Sequence, residues 1–405
     1  MDKMELPKEW VSISYNELFT QVSTINKKIK TKDMLEAGKY PVIDQSESFI
    51  SGFYNDEIKL VHIQQPVIVF GDHTRCFKWI DFNFVPGADG IQVLLPNEPL
   101  EARYMFYALK SLTLPNKGYS RHFKFLKEKR INIASLNEQK EIVRIIESHL
   151  QLVDQIKSHL DALSKILEQF RQSVLSSAVS GKLTEEWRVK KNINSCWLEN
   201  SSSLGEIIEL AYGKSLPAKI RSGEGYSVYG SNGEIGLHDE YLVEGPFIIV
   251  GRKGSYGEVV WSKESGWPID TTYYVVLKEN YYLKFIFYLL KTLGLNQLNR
   301  STTIPGLNRN DAYEKIIYVP SLVEQKEIVA RVENLFTLAD QIESKIKSAQ
   351  ERVNLLTQSI LAKAFRGEFT AKWREENPDL ISGKNSAEAL LKRIEEAKKA
   401  AKKKK

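Results

Sequence analysis

Residues Ser135 to Arg188 recur without a gap as Ser321 to Arg374, a shift of 186 positions (321 − 135). One copy opens Ser-Leu-Asn-Glu-Gln-Lys-Glu-Ile-Val and closes Gly-Lys-Leu-Thr-Glu-Glu-Trp-Arg. The other opens Ser-Leu-Val-Glu-Gln-Lys-Glu-Ile-Val and closes Gly-Glu-Phe-Thr-Ala-Lys-Trp-Arg. About 22 of the 54 aligned positions are identical, including Asp154-Gln155-Ile156 against Asp340-Gln341-Ile342. A long ungapped repeat confines the chain to folds that build the same unit twice, a pseudo-twofold internal repeat.

Each copy carries a heptad seam. Ile142, Ile146, His149, Val153, Ile156, Leu160, Leu163, Leu167, Phe170 and Val174 step by fours and threes. Ile328, Val332, Leu335, Ala339, Ile342, Ile346, Ala349, Val353, Leu356 and Ile360 do so at the same phase. Five heptads without Pro or Gly, broken only by His149, favour a coiled coil over an ordinary core helix. Gly181 and Gly367 stand where such helices should stop. About 44 residues at roughly 1.5 Å each make a rod about 65 Å long. The natural partner of each rod is the other.

Composition bounds the class. A chain of 405 residues can hold two or three domains. Two cysteines, Cys76 and Cys196, cannot make a disulfide framework. No apolar run approaches the roughly 20 residues that span a bilayer, and Met1-Asp2-Lys3 does not begin a signal peptide. A cytoplasmic protein with no membrane partner is expected. The net charge of +6 divides as +2 for residues 1–134, +1 for 135–195, −2 for 196–320, +2 for 321–374 and +3 for 375–405. Neither large domain is broadly basic, so nucleic-acid binding must rest on local clusters. The tail is read as a basic segment, partly helical or disordered, ending in Lys402 to Lys405.

The segments before the rods echo one another. Tyr40-Pro41-Val42-Ile43 answers Tyr226-Ser227-Val228-Tyr229, and Pro66 to Gly71 answers Pro246 to Gly251. The helix-like run Phe106 to Leu112 answers Phe287 to Leu293, and Ile131-Asn132-Ile133 answers Ile317-Tyr318-Val319. Short β-rich runs with one late amphipathic helix predict an α+β domain in each, 1–134 and 196–320, alternating with helical regions 135–195 and 321–374.

Recognition chemistry is expected in the loops. His73, Thr74, Arg75 and Lys78 follow one strand; Lys117, Tyr119, Ser120, Arg121, His122 and Lys124 form a second basic and aromatic run. The later domain offers Ser231 and Asn232, then Arg252, Lys253, Ser255 and Tyr256, then Asn299, Arg300, Ser301, Thr302 and Thr303. Arg reads guanine edges, Asn reads adenine, and Ser, Thr and Lys hold phosphates. A lone cation of this kind is ordinarily a solvated surface charge; matched clusters in both domains favour a binding edge.

Catalytic signatures are missing. Gly213-Lys214-Ser215 ends like a P-loop, but Ile208 stands where its first glycine should be. No Asn/Asp-Pro-Pro-aromatic segment occurs, and the six histidines show no metal spacing. The chain is expected to catalyse nothing by itself and to bind no cofactor.

The rod heads Leu136 to Ile142 and Leu322 to Ile328, the exits Gly181 to Arg188 and Gly367 to Arg374, and the domain-rod-domain-rod order together resemble the specificity subunit of type I restriction–modification systems. The resemblance implies two target-recognition domains, each reading half of a split asymmetric site in double-stranded DNA. It implies rods paired antiparallel to fix the spacer, with two methylation subunits docked on them for adenine methylation. S-adenosylmethionine, ATP and magnesium would belong to those and to the restriction subunits. A stand-alone DNA-binding regulator and a coiled-coil protein scaffold are the alternatives that the residues leave open.

Overall fold

The computed structural model describes residues 6–87, 90–118, 120–193, 201–298 and 305–403. The rods form as expected, as helices Leu136–Val179 and Leu322–Ala364. Contacts divide the chain into a first unit, residues 1–159 with 350–405, and a second, residues 160–349. Each rod therefore contributes its head to one unit and its far half to the other.

In the first unit the strands are β1 (Val11–Ser14), β2 (Phe19–Val22), β3 (Tyr40–Ile43), β4 (Gly52–Tyr54), β5 (Val67–Gly71), β6 (Phe77–Ile80), β7 (Val85–Pro86), β8 (Ile91–Pro96) and β9 (Arg130–Ile133). Val-Ile-Val-Phe-Gly has no polar side chain, and all five residues of β5 are buried, as suits a strand inside a sheet. It lies within the antiparallel order β2-β8-β5-β6, beside a smaller sheet β4-β3-β7 and a pair β1-β9. Helix Ala102–Ser111 buries Tyr104 through Leu109, and the Tyr104 hydroxyl donates to Asn132 O at 2.7 Å, tying it to β9.

The second unit repeats this plan with β10 (Ser201–Ser203), β11 (Ile208–Tyr212), β12 (Tyr226–Gly230), β13 (Gly233–His238), β14 (Phe247–Gly251), β15 (Val259–Ser262), β16 (Gly266–Pro268), β17 (Thr272–Leu277) and β18 (Ile316–Tyr318). Its sheets run β11-β17-β14-β15 and β13-β12-β16, with the pair β10-β18. Helix Leu283–Thr292 buries Phe285 through Leu290.

The duplicated rod-head sequence now has a physical reason. Ser135 caps its rod by accepting Glu138 N at 3.2 Å, and Ser321 accepts Glu324 N at 3.4 Å. A Ser-x-x-Glu run ordinarily folds the glutamate back onto the cap. Here Glu138 instead accepts from Trp10 Nε1 at 2.9 Å, Thr370 Oγ1 at 2.7 Å and Arg374 Nη1 at 2.7 Å. In the second unit Glu324 accepts from Thr184 Oγ1 at 2.7 Å and Arg188 Nη1 at 2.6 Å. Each rod head is thus stapled to the exit of the other rod. The neighbouring Gln139 Oε1 accepts Glu101 N at 3.0 Å, and Gln325 Oε1 accepts Tyr282 N at 2.7 Å, fixing the start of each domain's own helix. Gly181 and Gly367 sit at φ +79° and +75°, the left-handed turn that ends a helix, and their carbonyls accept from Arg188 and Arg374.

Within each unit the two rods run antiparallel. In the first, Glu138 meets Arg374 while His149 stacks on Phe369 at 5.1 Å. In the second, Arg188 meets Glu324 while Arg171 reaches Asp340 and, at 2.8 Å, Glu343. The seam is less uniform than its heptads suggest. Ile142, Ile146, Val153, Ile328, Val332, Ile346 and Val353 are buried. Leu160, Leu167, Phe170 and Leu335 are half-buried, and Ile156, Leu163, Ile342 and Leu356 keep 42%, 44%, 39% and 39% of their surface exposed. A helix pair covers each seam residue from one side only, and Ile328 and Val332 are fully buried where the second domain's core packs on them. His149 lies at the edge, exposed, with Nδ1 2.8 Å from Ile145 O.

The tail folds onto the first unit. Helix Ala387–Lys403 buries Ala387, Leu390 and Ile394, and Lys398 Nζ donates to Asn16 O at 3.0 Å. Its amphipathic pattern gives it a face to bury.

Candidate nucleic-acid interface

In the first domain the loop after β5 is a tight turn. Arg75 adopts φ +63°, and its N–H donates to Gly71 O at 2.7 Å. A Cβ on Gly71 would stand 2.2 Å from Thr74 Oγ1 and 2.9 Å from Cys76 Sγ, so a larger residue there would force those side chains to shift. Gln45 anchors it, accepting His73 N at 3.1 Å on its side chain and Thr74 Oγ1 at 2.6 Å on its carbonyl. Asp72 joins this turn to the second candidate run: its carbonyl accepts His122 N at 2.9 Å and its carboxylate accepts Phe123 N at 2.7 Å. Thr74, Lys117, Arg121 and Lys124 are exposed there, with His73, Arg75 and Ser120 half-buried.

Two expected contact residues belong to the scaffold instead. Lys78 is buried, donating from Nζ to Ser48 O at 2.6 Å with Asp44 3.7 Å away. Burial pulls its pKa below the usual lysine range, with Asp44 opposing. Burial also works to raise Asp44, but donations from Ser46 and Ser51 and the charge of Lys78 outweigh it and leave its carboxyl below the usual range. His122 is fully buried. Its Nε2 accepts Lys117 N at 3.4 Å, which leaves Nδ1 to donate to Asp72 O at 2.9 Å. Both look superficial in sequence because polar turns adjoin them; alternation turns Lys78 inward along β6 and the turn encloses His122.

In the second domain the β12–β13 turn and the loop after β14 come together. A Cβ on Gly251 would stand 2.1 Å from Ser255 O and 2.9 Å from Ser231 O, so this close approach requires glycine. Asn232, Lys253 and Ser255 are exposed at this end, with Ser231, Arg252 and Tyr256 half-buried. Arg252 donates to Asp270 O at 2.9 Å and lies 4.9 Å from the Tyr212 ring centroid. Tyr119 and the run Asn299, Arg300, Ser301, Thr302 and Thr303 lie outside the described residues. Sequence reading missed Tyr212 and Arg309, which meet Arg252 at this end of the sheet. The rejected P-loop fragment after Tyr212 was the available signal, a polar turn leaving a strand. The described residues include no group of three or more His, Cys, Asp or Glu placed to hold a metal ion. None of their helices is long and apolar enough to cross a membrane.

Comparison with known proteins matches this duplicated architecture. The family model of the type I restriction modification DNA specificity domain fits residues 7–164 and again 199–352. The chain is 33% identical over 307 residues to the EcoDI specificity subunit of Escherichia coli, covering 65% of this chain and 68% of the relative. It is 38% identical over 303 residues to the StySPI specificity subunit of Salmonella potsdam, covering 65% and 63%. The matches therefore span about two thirds of the length of these relatives. Among solved structures, a chain from a study of complex assembly in the type I R-M system superposes with TM-score 0.65 at 14% identity, covering 90% of this chain and 99% of that one. The HsdS subunit from Thermoanaerobacter tengcongensis gives 0.52 at 15%, covering 90% and 98%, a likeness of fold. With the specificity-domain model matched in both halves, the chain belongs to the type I restriction–modification specificity family.

Proposed function

We propose that this chain is the non-catalytic DNA-reading subunit of a type I restriction–modification complex in the cytoplasm. Each α+β domain takes one half of a split, asymmetric target in double-stranded DNA, and the paired rods set the unread spacer. One observation carries the reading: the contacts that staple the scaffold recur at equivalent residues while the loops at equivalent places differ. The rod staples and the Gln139 and Gln325 contacts match, yet Asp72 stands after β5 where Arg252 stands after β14. Likewise Phe123 opens the helix Phe123–Lys127 where Arg309 opens Arg309–Tyr313. A duplicated scaffold suits two identical partners, and divergent loops suit two different half-sites.

Exposed apolar residues on the rods, Ile156 and Leu163 on one and Leu338 and Leu355 on the other, support docking of two methylation subunits. Those subunits would bring S-adenosylmethionine for adenine methylation, and restriction subunits would bring ATP and magnesium. The test is to assemble the full chain with methylation subunits and map adenine methylation across a genome lacking other modification. One asymmetric sequence in two parts with a fixed spacer is expected. A continuous site, or no methylation by an assembled complex, contradicts the reading.

A further inference from the structure

One end of the β11-β17-β14-β15 sheet gathers two arginines on one tyrosine. Tyr212 closes β11, Arg252 follows β14, and Arg309 opens its short helix. The register pairs Tyr212 with Tyr273 and Gly251 with Thr272, which sets these strand ends side by side. The guanidinium of Arg252 lies 4.9 Å from the Tyr212 ring centroid and that of Arg309 lies 5.3 Å away, both within cation–π range. Tyr212 nevertheless keeps 52% of its surface exposed.

The other described arginines of this unit are occupied structurally. Arg171 pairs with Asp340 and Glu343, Arg188 with Glu324, and Arg331 with Glu327. Arg221 donates to the carbonyls of Leu216 and Ile235, and Arg252 donates in the same way to that of Asp270. Among the described residues, neither Arg252 nor Arg309 has a carboxylate partner. Like charges held at one ring without a counter-anion repel each other, and an acceptor-rich ligand relieves that repulsion. This is no generic basic face, since residues 196–320 carry 12 Lys and Arg against 14 Asp and Glu. A planar guanidinium with its aliphatic stem fixed by stacking presents a rigid fork, the geometry that matches guanine O6 and N7.

We propose that Tyr212 is a positioning platform that holds Arg252 and Arg309 to read guanine edges in the half-site taken by the second domain. The inference rests on the reading of the chain as a two-domain DNA-recognition subunit. The first domain has Asp72 and Phe123 in place of these arginines, so its half-site is read by different chemistry and the target is asymmetric.

The test uses the complex of the full chain with methylation subunits. Methylation rates are compared on duplexes carrying single substitutions in each half of the mapped site. Arg309→Ala and Arg252→Ala are expected to lose about ten- to a hundredfold of discrimination at a guanine in one half, with the other half read as before. Tyr212→Phe should preserve that discrimination and Tyr212→Leu should lose it. Arg309→Lys keeps the charge and is expected to lose discrimination too, which guards against an alanine variant that fails to fold. Unchanged discrimination in the arginine variants overturns the proposal, as does equal slowing on every duplex, which would mark a phosphate contact. If the unmodified complex methylates no split site, the parent reading fails; if it does and the variants are indifferent, only this proposal fails.

Discussion

Replacing Glu138 by alanine is expected to destabilise the first unit by about 3–5 kcal/mol, the range for removing one partner of a buried ion pair. The carboxylate is fully buried and accepts from Trp10, Thr370 and Arg374. Without it, among the described residues Arg374 (14% exposed) retains only the Gly367 carbonyl and the Thr370 hydroxyl as partners, and Trp10 Nε1 is left buried without an acceptor. Because the staple joins the head of one rod to the exit of the other, its loss releases two segments distant in sequence. Glu138→Gln keeps an acceptor and should cost less. Denaturant unfolding of wild type and both variants measures this directly; a loss below about 1 kcal/mol for the alanine variant would show that the cluster is a surface-like pair.

Inserting one heptad into each rod, after His159 and after Ala349, is expected to lengthen the methylated site's spacer without altering either half-site. Seven helical residues add about 10 Å, close to three base pairs at about 3.4 Å each, and a whole heptad preserves the seam register. A methylation map of the doubly extended chain reads the outcome. An unchanged spacer with a functional complex would sink the ruler function of the rods.

Much of this was legible in the sequence because duplication supplies its own control. The rods, their stops at Gly181 and Gly367, and the strand echo of Pro66 to Gly71 with Pro246 to Gly251 all follow from pattern and internal repetition. Properties that depend on long-range partners were hidden. Glu138 and Glu324 read locally as capping glutamates, yet each meets an arginine more than a hundred residues away. Lys78 and His122 read as surface groups until Ser48 and Asp72 enclosed their polar atoms. Tyr212 and Arg309 lie about 100 positions apart, and nothing in either neighbourhood signals the ring and cation that the sheet register brings together.

One scaffold built twice, with sequence information carried only by the loops of each copy, makes the two half-sites separable. Exchanging residues 201–320 for the corresponding segment of a relative, and mapping adenine methylation by the assembled complex, tests it most directly. One half of the bipartite site is expected to change while the other half and the spacer stay fixed. A change in both halves, or in neither, would contradict it.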